Sequence, residues 1–164
     1  QNQSNQLDIQ YLVDGAVHSA SLSSLTLSNT KFGNIGATQI AVLLSNNQHL
    51  RALHVNDNGI SHAGDQTVQK ALKKNTGLMI LNGINMSHSK VQPSRLEHNF
   101  DIVFIRSRIG PQHPCRQLML NKLSIESEKL GGRNHSGKSI VLQSIGECAF
   151  YLTLLDLREN ALSD

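Results

Sequence analysis

The chain of 164 residues predicts an α/β solenoid, in which short parallel strands alternate with returning helices. Two observations carry that prediction. The first is a spacing: Leu22, Leu25 and Leu27 fall in the order L-x-x-L-x-L, and Leu50, Leu53 and Val55 repeat it 28 positions on. Asn58 and Ile60 complete L-x-x-L-x-L-x-x-N-x-L, and Leu152, Leu155, Leu157, Asn160 and Leu162 give the full pattern again. The second is the apolar period between the strands. Ile40, Leu43 and Leu44, then Val68, Ala71 and Leu72, follow the i, i+3, i+4 rule of an amphipathic helix. A strand with its leucines on one face and one covering helix cannot bury its apolar side alone, so such units stack.

Each element follows in order. Residues 7–17 (Leu7, Ile9, Leu12, Ala16, Val17) read as a helix before the Leu22 strand. Helices are expected near 37–46 and 64–75, stopped by Asn46-Asn47 and by Asn75-Thr76-Gly77. Leu78 and Leu81 begin a third strand on schedule, but Gly83 replaces the next leucine and Met86 stands where Asn belongs. A slipped register through Leu81, Ile84 and Met86 fits nearly as well. Ser87–Arg95 reads as loop, and Phe100–Ile109 is an apolar segment, helix or strand, ended by Gly110-Pro111. Cys115, Leu118, Leu120, Leu123 and Ile125 fit a fourth strand. The strand spacings are then 28, 28, 37 and 37, which places irregular insertions at about 87–111 and 126–137. Leu25, Leu27, Leu53, Val55, Leu118, Leu120, Leu155 and Leu157 are expected to be buried in one parallel sheet.

A 28-residue unit with a full helix opened by Gly36-Ala37 or Gly64-Asp65 resembles the ribonuclease-inhibitor-like subfamily of leucine-rich repeat proteins. The repeat domains of tropomodulin and of NOD-like receptors share that type. The resemblance is close over residues 22–82 and 139–164. It implies a horseshoe fragment with a parallel concave sheet and outer helices, forming a single leucine-rich-repeat domain over residues 1–164. It also implies a non-enzymatic module that binds a protein partner. Both ends read as cut, since the first helix has no strand motif before it and the last motif no helix after it. A fragment of a longer solenoid is therefore expected.

Composition narrows the function classes. Trp is absent and aromatics make up 4% of the chain, so aliphatic side chains must do the packing. No run of 18 apolar residues occurs, so no membrane partner is expected. The start, Gln-Asn-Gln-Ser-Asn-Gln, lacks the basic and apolar regions of a signal peptide. Cys115 and Cys148 do not form the clusters that cap extracellular repeats, which favours an intracellular, cytoplasmic setting, with delivery into a host cell as the alternative for an effector. The eight histidines show no zinc-ligand spacing, and no nucleophile–base or paired-carboxylate motif appears, so neither enzyme activity nor a cofactor nor a metal is expected. Residues 90–138 carry nine basic and four acidic side chains, a net +5, without interleaved aromatics or a compact basic run. That pattern suits a solvated, loop-rich face better than nucleic acid.

One motif competes. Gly132-Arg133-Asn134-His135-Ser136-Gly137-Lys138-Ser139 matches G-x-x-x-x-G-K-[ST], in which Gly132 and Gly137 would let backbone N–H groups wrap phosphates while Lys138 and Ser139 met the β/γ oxygens and Mg²⁺. The alternative reading is accordingly a repeat segment of a larger nucleotide-binding protein, Roco-like or NOD-like. The lead-in Glu126–Gly131 is polar rather than a buried strand, and Gly137 falls about where Gly64 sits relative to its next strand. The repeat explains the glycine without a nucleotide.

In L-x-x-L-x-L the residues between the leucines point out toward a partner. In register, Thr26, His54, Asn82, Met119 and Asp156 form an outward ladder. The residues expected to bind a partner are His54, Asn56, Asn82, Met119, Asn121, Leu154, Asp156 and Arg158. The N-terminal end of that face (Ser24, Thr26, Ser28, Ala52) is small and polar and reads as merely solvated.

Overall fold

The computed structural model describes residues 2–121, 123, 143 and 145–160, with side chains from Asp8 onward. The chain divides into two compact units, Gln1–Asn82 and Gly83–Asp164. The first holds α1 (Asn2–Val17), β1 (Ser24–Thr26), α2 (Gly33–Asn46), β2 (Ala52–His54), α3 (His62–Leu72) and β3 (Ile80–Leu81). The second holds β4 (Ile84–Asn85), β5 (Lys90–Val91), α4 (Asn99–Ser107), β6 (Gln117–Met119), a 3₁₀ turn at Ala149–Tyr151 and β7 (Leu154–Asp156).

In the first unit the 28-residue period sets the register directly. Parallel pairing puts Leu25 opposite Leu53 and Leu53 opposite Leu81, so the unslipped third strand is the one that forms. Leu50, Leu53, Val55, Leu78 and Leu81 are buried with Ile40, Leu43 and Leu44 of α2 and Val68, Ala71 and Leu72 of α3. Helices α2 and α3 begin at Gly33 and His62, so Gly36 and Gly64 are not openers but lie in the first turn. Their role is close packing: a Cβ on Gly64 would run into Asn34, Ile60 and Ala37.

Asparagine amides fasten one repeat to the next. Asn58 Nδ2 donates to the Leu27 and Val55 carbonyls at 2.8 and 2.9 Å, while its Oδ1 accepts from the Thr30 amide at 2.8 Å. Asn75 Nδ2 donates to the Leu44 and Asn47 carbonyls at 2.8 and 2.9 Å, and its Oδ1 accepts from Leu78 N at 2.8 Å. Asn47 does the same one repeat earlier, donating to Ala16 and Ser19 and accepting from His49 and Leu50. Asn58 belongs to the strand motif, while the sequence offered Asn47 and Asn75 only as helix stops; all three satisfy backbone groups that no ladder reaches.

The second unit corrects two expectations. Residues 87–111 are not an irregular insertion: they contain β5 and α4, and Val91 pairs with Leu118 in a parallel ladder. Val91 lies 27 residues before Leu118, so the apparent 37-residue spacing from Leu81 to Leu118 conceals a strand that the leucine pattern misses. The reason is its side chains: His88 and Pro93 occupy the places that leucines hold in other repeats, and only Val91 keeps the pattern. Helix α4 is a regular repeat helix with Phe100, Ile102, Phe104 and Ile105 buried. Asp101, one turn in, accepts from the Glu97 and His98 amides at 2.9 and 3.0 Å and so caps it. Strand β6 pairs onward with β7, Leu118 opposite Leu155 and Met119 opposite Asp156. Asn160 repeats the Asn58 arrangement, donating to the Leu120 and Leu157 carbonyls and accepting from Leu123 N.

Strand pairing thus forms two parallel ladders, β1–β3 and β5–β7, rather than the one sheet expected. Within them Leu53, Val55, Leu118 and Leu120 are buried, while Leu25, Leu27, Leu155 and Leu157 on the outer strands are only half-buried. A strand paired on one side has leucines covered on one side. The expected insertion at 126–137, the phosphate-loop motif Gly132–Ser139 and Leu162 lie outside the described residues.

Candidate functional site

The outward rows follow from strand alternation. In the first unit, Ser24, Ala52 and Ile80 stand in register in one row, with Thr26 and His54 in the next. Ala52, His54 and Ile80 are half-buried, and Asn56 follows just beyond β2. In the second unit, Lys90, Gln117 and Leu154 form one row and Met119 and Asp156 the next, with Asn121 and Arg158 beyond the strand ends. Leu154 is 44% exposed, whereas Gln117, Met119 and Asn121 are half-buried. The second unit therefore carries the larger and more varied side chains.

Two of the sequence-predicted residues are occupied inside the structure. Asn82 is buried, and its Oδ1 accepts a hydrogen bond from Val55 N at 2.8 Å. It stands at φ +52°, where the chain leaves β3, so its side chain turns back and supplies the acceptor that the ended strand no longer provides. An outward-facing role for Asn82 is thereby corrected. Asp156 is buried under Arg158, whose Nε and Nη2 meet Oδ1 and Oδ2 at 2.9 and 2.8 Å. This bidentate pair, together with the Arg158 amide, holds the Asp156 carboxyl at about 2. The Arg158 side chain itself stays exposed, its guanidinium held in place by the paired carboxylate.

At the position just after the last strand leucine, Asn56 and Asn121 are equivalent in their repeats, and each has a buried Oδ1 without a hydrogen-bond partner. Sequence reasoning placed both on the binding face, but nothing in the sequence marks their unpaired carbonyls. Sequence reasoning missed Lys90, which extends the Gln117–Leu154 row. The only signal for it is the 27-residue offset between Val91 and Leu118.

Cys115 and Cys148 are buried and outside any disulfide, and burial pushes both thiols up, away from the reactive thiolate. Around the loop after α4, Arg108 lies buried against the Phe104 ring at 5.3 Å, and burial lowers its pKa. His113 is lowered by burial and by the neighbouring Arg108 and Arg116 charges. Among the described residues no group of three or more His, Cys, Asp or Glu side chains is placed to hold a metal ion. No helix among them is long and apolar enough to cross a membrane.

The strand–asparagine–helix unit built around Leu50, Leu53, Val55 and Asn58 has a known counterpart. Residues 46–64 match the family model for a leucine-rich repeat. The match runs from the end of α2 through β2 to the start of α3, and supports a leucine-rich repeat protein of mixed α/β structure with parallel strands. No curated protein matches the chain. Leucine-rich repeats generally mediate protein–protein interactions and are typically not enzymes, so a protein partner is the general implication of the match.

Proposed function

We propose that this chain is a protein-binding module whose repeats are of the ribonuclease-inhibitor-like type, stacked as a solenoid within each unit. Its partner docks on the concave, outward rows of the strands. The period of 28 residues and the full helices α2 and α3 support that subtype over those with short or irregular connections. The binding side chains are His54 and Asn56 in the first unit, and Met119, Asn121, Leu154 and Arg158 in the second. Asp156 orients Arg158 rather than touching the partner, and Asn82 holds the turn.

The observation that carries this reading is the pair Met119 and Leu154 in adjacent rows of the second unit: a half-buried and an exposed apolar side chain standing outward on strands whose other outward residues are polar. Exposed apolar groups beside a fixed arginine are the composition of interface hot spots. That Cys115 and Cys148 are thiols outside any disulfide favours an intracellular setting.

Affinity capture from cell lysate, quantified by mass spectrometry, tests the site. The protein captured by the wild-type chain should be lost with Met119→Asp plus Leu154→Asp and retained with Ser24→Asp plus Ala52→Asp. Equal retention by both pairs of substitutions would remove the second-unit face from consideration.

A further inference from the structure

The loops that lead into β2 and β3 carry a second surface, at the end where α3 stops. Lys70, Lys73 and Lys74 stand at i, i+3 and i+4, and Lys73 N still bonds to Gln69 O at 3.2 Å, so the last turn of α3 gathers all three on one side. Arg51 reaches the same loop from the preceding repeat, its Nη1 donating to the Gly77 carbonyl at 2.7 Å. All four residues are exposed, and among the described residues none of them meets a carboxylate.

Little in the neighbouring chain neutralises this charge. Between Asp14 and Glu97 the only acidic residues are Asp57 and Asp65. Asp65 is buried in the first turn of α3, and Asp57 follows β2 at the end away from Arg51. The dipole at a helix C-terminus favours a cation in the last turn, but like charges at i, i+4 repel one another. The dipole therefore accounts for one lysine and not for the cluster. No Phe, Tyr or Trp occurs between Phe32 and Phe100 to stack bases. Among the described residues no large apolar side chain between Val42 and Phe150 is exposed to enter lipid.

We infer that Arg51, Lys70, Lys73 and Lys74 form a ledge that binds an acidic polypeptide segment, an extended stretch with Asp or Glu on alternate residues. The rise from Lys70 to Lys74 is about 6 Å and alternate side chains of an extended peptide stand about 6.8 Å apart, so successive carboxylates meet successive lysines. Arg51 takes a further carboxylate through the guanidinium nitrogens that Gly77 leaves unused. Bound carboxylates relieve the repulsion that the lysines bear alone. The ledge is separate from the outward rows, so its failure would leave the reading of those rows standing.

The test uses a fluorescently labelled nonapeptide of alternating glutamate and serine, titrated with the full chain and read by anisotropy. Lys73→Gln with Lys74→Gln should weaken binding about fivefold, and Lys70→Gln with Lys74→Gln comparably. Lys31→Glu lowers the net charge as much as either pair, at an exposed position beyond β1, and should leave affinity unchanged. Raising the salt from about 0.05 to about 0.3 M should weaken binding about tenfold. The same peptide with glutamine for glutamate should not bind. Circular dichroism melts confirm that each variant is folded. Failure of the glutamate peptide to bind, or unchanged affinity in both lysine pairs, would overturn the proposal. So would an equal loss with Lys31→Glu, which would reduce the effect to net charge. Displacement of the peptide by lower concentrations of a single-stranded oligonucleotide or of phosphatidylserine vesicles would overturn it as well, by assigning the ledge to nucleic acid or to a membrane.

Discussion

The two units build similar parallel ladders but tie their loops in different ways. In the first, Asn47 and Asn75, three residues before Leu50 and Leu78, send their amides to carbonyls of the preceding repeat. In the second, the corresponding positions before Cys115 and Leu152 are Gln112 and Ala149. The loop there is tied by Arg116, whose Nη1 donates to the Gly110, His113 and Cys115 carbonyls, all within six residues. The equivalent arginine of the first unit, Arg51, instead reaches the Gly77 carbonyl of the next repeat at 2.7 Å. Fastening between repeats couples neighbours in a strict period. Fastening within a loop lets that loop change length, and the second unit's strand offsets are indeed unequal, 27 residues from Val91 to Leu118 and 37 from Leu118 to Leu155.

The largest effects should come from the inner strands. Leu53→Ala and Leu118→Ala, both fully buried, should each cost about 2–5 kcal/mol in denaturant unfolding. Leu25→Ala, on a half-buried outer strand, should cost clearly less; equal losses would mean that the outer strands are covered. Next comes the fastening itself. Asn75→Ala strands the Leu44 and Asn47 carbonyls and the Leu78 amide, and should cost about 3 kcal/mol. Arg116→Met should raise hydrogen exchange only around residues 110–117, and broad destabilisation would mean that Arg116 ties more than its own loop.

Glycines sharpen the comparison further. A Cβ on Gly77 would overlap the Gln48 backbone carbonyl, so Gly77→Ala should cost about 1–3 kcal/mol. Gly146 has open space around its Cβ position, and Gly146→Ala should change the melting temperature little.

The smallest effect is acid sensitivity in the second unit. The Asp156 carboxyl sits at about 2 against an ordinary 3.8, a lowered value. Its contribution is therefore present above about 3.8 and lost as pH falls toward 2. His113 is also lowered, so the folded state resists its protonation and stability falls as pH drops below 6.5. Hydrogen exchange should show residues 110–119 and 153–158 loosening as the pH is lowered through these ranges. Arg158→Gln should remove the part that lies between pH 4 and 2.

Where leucines mark the strands, sequence and structure agree closely. The register of β1–β3, helices α1–α3 and the β6–β7 pairing all follow from counted spacings. Strand β5 was illegible because backbone pairing, which the sequence does not display, holds Lys90–Val91 in place with His88 and Pro93 at leucine positions. On the outward face, alternation places His54 and Met119, both half-buried, and the exposed Leu154 in the outward rows. It failed at Asn82, where a positive φ turns the side chain inward, and at Asp156, where a guanidinium covers a carboxylate that alternation alone leaves exposed.

The claim that a hidden 27-residue repeat replaces a plain insertion is tested most directly by backbone NMR of the full chain. Interstrand nuclear Overhauser contacts should join residues 90–91 to 117–118, and the Arg116 amide, bonded to Ser89 O at 2.8 Å, should be protected from exchange. Contacts joining residues 80–81 to 117–118, with 87–95 unprotected, would contradict it and restore the single sheet with a long loop.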